Sequence, residues 1–195
     1  MRVRYGSSGE TYIELCDEPK GDAVYSAKMG MSGRMKFKIG KYKHAGDTVI
    51  GEANNKGFMG SKAAITYNGR DYEMSKSHVG LTSQVWSFNA PGAGGRAEDW
   101  QWVAADTSLS AKLTSQKGWK LVRKGAPEDA PGVVVFKHDT SMSMSTERLG
   151  TVEFVGQGLT GELGDVLPNV AVMSLTKMKA IEVEKKIMKA VSGGA

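Results

Sequence analysis

The sequence predicts a mainly β fold: a closed antiparallel β-barrel of about twelve strands around a C-terminal hydrophobic α-helix. Three observations predict it. Short β-like runs bounded by turn residues succeed one another from residue 11 to residue 155. Glycine is frequent, at 25 residues, and proline scarce, at 5, which suits many tight turns and few rigid breaks. The chain then changes period, and its last long segment begins as a helix that is apolar on every side.

The strand runs are 11–16, 23–28, 34–39, 48–53, 63–67, 70–74, 84–89, 99–104, 108–113, 119–123, 132–137 and 150–155. Asp17-Glu-Pro-Lys-Gly21 separates the first two. The 34–39 run alternates strictly: Met35, Phe37 and Ile39 belong to one face, Arg34, Lys36 and Lys38 to the other. Asn68-Gly69 between two such runs is the strongest hairpin signal in the chain. The 132–137 run is the most apolar.

Asp165 can cap the final helix, and Pro168 falls in its first turn, where proline is tolerated. Val166, Leu167, Val170, Ala171, Val172, Met173 and Leu175 point in all directions around the axis, as in a buried helix. Beyond them Met178, Ile181, Val183, Ile187 and Met188 alternate with Lys177, Lys179, Glu182, Glu184, Lys185 and Lys186, which predicts a wet face. A sheet of so many strands curls, and closing it removes its edges. An eight-stranded barrel is filled by its own side chains, and a wider one leaves a void. A helix about 10 Å across fills that void. The rival, a two-sheet sandwich with a surface helix, would bury one helical stripe and suits Val166 to Leu175 less well.

The length of 195 residues suits one domain, read as 11–191 with tails at 1–10 and 192–195. Apolar residues at 40% and charged residues at 24% support a packed core and exclude a disordered chain. The single thiol, Cys16, cannot form an internal disulfide and is expected to pack as a small apolar residue. The start of the chain lacks the apolar run of a secretory signal, and no stretch reaches the ~18 apolar residues of a membrane span. A cytoplasmic protein, peripheral at membranes if it meets them, is the expectation.

Little in the sequence points to catalysis. His44, His78 and His138 have no second ligand at metal spacing, so no metal, cofactor or catalytic residue is expected. His138-Asp139 with Ser141 lacks the Gly-x-Ser-x-Gly elbow of a hydrolase. Gly92-Ala-Gly-Gly-Arg-Ala97 leads into a strand and not a helix, so it reads as a hairpin loop and not a phosphate cradle. Residues 140–146 read as a connecting loop of serine, threonine and methionine.

One segment supports a functional expectation. Arg34, Lys36 and Lys38 share a strand face, and Lys41 and Lys43 follow at once. Such a row can hold phosphates of an anionic phospholipid headgroup. The plain alternatives are a solvated strand face, or an edge strand guarded by lysines. The net charge of +5 permits nucleic acid as a partner. The basic run, however, has only Phe37 and Tyr42 as aromatic neighbours, and Phe37 should point inward, so nucleic acid is not expected.

The pattern of Trp100-Gln-Trp102, the 112–123 hairpin with Trp119, the 132–137 and 150–155 strands and Glu162-Leu-Gly-Asp-Val-Leu167 resembles the Tubby C-terminal-like superfamily, above all its fungal members. That group includes tubby, the phospholipid scramblases and the LURP-one-related proteins of plants, and the similarity covers residues 22–190. The resemblance implies a twelve-stranded barrel threaded by a C-terminal helix. It also implies a binding role, since tubby holds phosphoinositides through basic residues of adjacent strands. The scramblase branch fits less well, because its cysteine cluster is missing here.

Three function classes follow. The first is a non-enzymatic binding or scaffold domain for anionic headgroups. The second is a protein-interaction module using the exposed half of the final helix, with Met178, Ile181, Val183 and Met188 facing a partner groove. The third is an enzyme with a dispersed site in a barrel mouth.

Overall fold

The structure is a computed structural model and describes residues 1–5, 10–16, 22–30, 33–40, 48–56, 61–79, 83–105, 118–138 and 149–192. Its twelve strands are β1 (Arg2–Tyr5), β2 (Thr11–Cys16), β3 (Ala23–Met29), β4 (Met35–Ile39), β5 (Gly51–Lys56), β6 (Lys62–Tyr67), β7 (Arg70–Val79), β8 (Ser83–Pro91), β9 (Ala97–Ala104), β10 (Trp119–Arg123), β11 (Val134–His138) and β12 (Gly150–Phe154). Each pairs antiparallel with the next, so chain order is sheet order. The sheet curls until its two ends touch. The Met1 nitrogen donates to the Gly150 carbonyl at 2.7 Å, and the Leu149 amide donates to the Met1 carbonyl at 3.0 Å. The result is a nearly closed barrel.

Local chemistry explains most of the turns and faces. Asn68 and Gly69 have φ of 49° and 72°, and Tyr67 pairs with Arg70 across them, as a two-residue hairpin needs. Residues 92–97 close the β8–β9 hairpin, with the Gly92 amide donating to the Arg96 carbonyl at 2.8 Å. β1 corrects the reading of residues 1–10 as a tail. Its alternation is too short to stand out, and only the pairing of Val3 with Ile13 places Val3 in the core. The expected 108–113 strand lies outside the described residues.

Helix α1 (Val166–Ser192) has 27 residues, about 40 Å of helix. Residues 170–181 are all buried. The barrel wall around them is built from Ile13, Phe37, Ile65, Phe88, Trp102 and Leu121, among others. Two polar groups inside are paired, Trp102 Nε1 donating to Ser174 Oγ at 2.8 Å and Thr176 Oγ1 to the Val172 carbonyl at 2.7 Å, whereas Trp100 Nε1 is buried without a partner. Tyr25 Oη donates to Asn169 Oδ1 at 2.9 Å, which fixes the helix start at the end of the barrel where β3 begins. The helix leaves at the opposite end, beside the last residue of β11.

The helix departs from expectation in its second half. Lys177 and Lys179, read as wet, are buried, and so are Met178, Ile181 and Val183. The barrel is long enough to enclose them, and Lys177 donates to the Gly33 carbonyl while Lys179 meets His138 and Glu182.

The close approach of the helix to β5 depends on a missing side chain. A Cβ on Gly51 would overlap Met173 Cε and lie 2.6 Å from the Thr66 carbonyl oxygen. Gly51→Ala is therefore expected to cost about 1–3 kcal/mol in urea unfolding. Met173→Leu should recover only part of that, because the Thr66 carbonyl belongs to the backbone. Unchanged stability of Gly51→Ala would mean that the helix does not sit against β5.

Candidate functional site

The expected basic row is not brought together as one row. Arg34 and Lys36 are exposed on the outer face of β4. Lys38 is 1% exposed and so is not available to a ligand. It stands opposite Ser26, which stands opposite Glu14, which stands opposite Arg2, all on one sheet face. Ser26 and Glu14 are buried too, and Arg2 Nε donates to Glu14 Oε2 at 2.9 Å. Lys38 thus belongs to a buried polar row of alternating character. Lys41 and Lys43 lie outside the described residues, as does His44. Ile39, read as inward, is 69% exposed. It pairs with Tyr25 at the end of the barrel where the helix begins, beyond the packed core.

The outer face around Arg34 has basic residues that the sequence reading missed. Lys56 ends β5 and Lys62 begins β6, and the two stand directly opposite each other. Hairpin reasoning across residues 57–61 could have found them. Lys36 has Glu52 at 3.9 Å and Lys62 has Glu73 at 3.4 Å, both loose, exposed pairs of small energetic weight. Arg34 Nε instead donates to Asn54 Oδ1 at 3.0 Å. Asn54 is neutral, so it orients the guanidinium without cancelling its charge. Neither Arg34 nor Lys56 has a carboxylate partner among the described residues. Both can donate to phosphate oxygens without first breaking an ion pair.

The same end of the barrel carries a second group of cations, where the helix emerges. Lys177 Nζ donates to the Gly33 carbonyl from inside. Burial pushes its ammonium below the usual lysine value, with Glu184 pulling the other way. Lys179 Nζ lies 3.1 Å from His138 Nε2, donates to Glu182 Oε2 at 2.9 Å, and sits 4.5 Å above the Phe136 ring centroid. Lys76 lies 6.0 Å over the Trp86 ring. Its value is lowered by burial first and by the like charge of Lys185 second, with Glu182 opposing. These groups are the inner wall of the exit. Lys179 is engaged on three sides and serves the packing of the helix.

The histidines separate. His138 ends β11 and contacts the helix, whereas His78 is exposed on β7. Among the described residues no group of three or more His, Cys, Asp or Glu could hold a metal ion. Cys16 is in no disulfide and is half-buried at the end of β2. No helix of the described residues is long and apolar enough to cross a membrane. No protein-family model matches the chain, and no curated protein or solved structure matches it either.

Proposed function

We propose that this protein is a non-enzymatic binding domain of the Tubby C-terminal-like type, and that it docks through its outer surface on phosphate-bearing headgroups of an anionic membrane. The nearly closed twelve-stranded barrel around a C-terminal helix is the fold that the resemblance implies, and it supports this reading. The observation that carries it is the exposed cations Arg34 and Lys56, the first oriented by Asn54 and both without a carboxylate partner among the described residues, with Lys36 on the same outer face. A lumen filled by residues 170–181 also supports a site on the outside of the barrel. Lys38 has no part in this site.

The test is sedimentation with liposomes containing phosphatidylinositol bisphosphate, against liposomes of phosphatidylcholine alone. Each surface cation contributes about 1 kcal/mol, so Arg34→Glu/Lys36→Glu/Lys56→Glu is expected to weaken binding on the order of 100-fold. Wild-type binding should fall as salt rises. Circular dichroism of the variant should match the wild type. Wild-type protein that ignores the anionic liposomes would end this reading.

A further inference from the structure

Lys177 is fully buried on α1, and its ammonium reaches the Gly33 carbonyl in the turn between β3 and β4. Among the described residues that carbonyl is the one hydrogen-bond partner of Lys177, and no carboxylate lies within ion-pair distance of it. A methionine would fill the same space without burying a charge. Packing therefore does not account for the ammonium, whereas the turn that it holds does.

That turn is tight. The Gly30 amide donates to the Arg34 carbonyl at 2.7 Å, and the Gly33 amide donates to the Gly30 carbonyl at 3.2 Å. Gly33 has a φ of 70°, and a Cβ there would overlap Asn55 Nδ2. Gly33 is buried, and the next residue, Arg34, is exposed. The main chain entering Arg34 is thus fixed at Gly33 by Lys177 from the core. Its side chain is fixed by Asn54, whose Oδ1 accepts from Arg34 Nε at 3.0 Å. Arg34 is held at both ends.

We propose that Lys177 is a positioning residue for the anionic-surface site, holding the Gly33 turn from inside the barrel so that Arg34 is already placed when a phosphate oxygen arrives. This rests on the reading of Arg34 as a phosphate-binding residue. A long side chain fixed before binding has less freedom to lose on binding. The charge of Lys177 acting through space would have a different signature. It would attract phosphate to the whole face, whether or not Arg34 is present.

A double-mutant cycle separates the two effects. The probe is sedimentation with liposomes containing phosphatidylinositol bisphosphate, for wild type, Lys177→Met, Arg34→Ala and the double variant, each checked for its fold by circular dichroism. Lys177→Met is expected to weaken binding about three- to tenfold. In the Arg34→Ala background it should change binding by less than about twofold. Gly33→Ala disturbs the same turn with Lys177 in place. It should weaken binding to a similar degree, again only while Arg34 is present. In the free protein, nitrogen-15 relaxation at Arg34 Nε should report a rigid guanidinium in the wild type and a mobile one in Lys177→Met. Equal losses from Lys177→Met with and without Arg34 would assign its effect to charge and overturn the positioning role. Gly33→Ala that binds like the wild type would overturn the route through the turn, and this outcome decides the matter if Lys177→Met does not fold. Wild-type protein that does not sediment would end the anionic-surface reading and this inference with it. Sedimentation left unchanged by Lys177→Met would end this inference alone.

Discussion

Leu175→Asp is expected to prevent folding. Leu175 is fully buried in the middle of the helix, within the barrel core. The substitution removes apolar contacts worth about 2–5 kcal/mol. It also buries a carboxylate with no partner, which costs several kcal/mol more unless the group protonates. The sum approaches the whole stability of an ordinary domain, about 5–15 kcal/mol. Thermal melting by circular dichroism should show no cooperative transition, or one lowered by more than about 20 °C. Leu175→Met, which conserves volume, should cost less than about 1.5 kcal/mol and shows that the position tolerates change of shape better than change of charge. A Leu175→Asp protein that melts like the wild type would mean that the helix lies outside the barrel.

Replacing Lys177 should separate the contributions of its stem and its charge. The side chain is buried and its ammonium donates to the Gly33 carbonyl. Lys177→Ala empties the space of the stem and leaves that carbonyl unpaired, for an expected loss of about 3–5 kcal/mol. Lys177→Met keeps the volume and removes a buried charge, so at neutral pH it should lie within about 2 kcal/mol of the wild type. The pH dependence distinguishes them further. Burial, opposed by Glu184, holds the folded-state value of Lys177 below 10.5, so the unfolded chain binds the proton more tightly. The cost of burying the charge is complete below the folded value and is relieved as pH rises from there toward 10.5. Wild-type stability should gain on Lys177→Met across that window. Lys76 is shifted in the same direction but is present in both proteins, so the difference isolates Lys177. Urea midpoints for both proteins from neutral pH to about 10 provide the check, and parallel curves would sink the argument.

The legible parts of this protein are those where one element carries its own pattern. Val166 to Leu175 read as buried on all sides because no helical stripe is polar, and the structure encloses all of 170–181. Asn68-Gly69 read as a hairpin because two consecutive positive φ angles select those residues. Met35 and Phe37 read as inward from strict alternation, and both are buried. The candidate site was half legible. Arg34 and Lys36 are on the surface as their face implied, but Lys56 and Lys62 join them only through β-sheet register.

The amino-acid sequence alone determined the class of fold: many short antiparallel strands, one helix apolar enough to be enclosed, and a core large enough for one domain. Those properties are local and periodic, and each is written within a dozen residues. The tertiary structure alone decided which charges are buried. Lys38 lies in a row with Ser26 and Glu14, Lys177 reaches Gly33, and Lys179 meets His138 and Phe136. Burying an ion is tolerable only when a partner stands close in space, and these partners come from other parts of the chain, 144 residues away in the case of Gly33 and 41 in that of His138. Closure was decided in the same way. The position at which β1 meets β12 depends on how far the sheet shears as it curls.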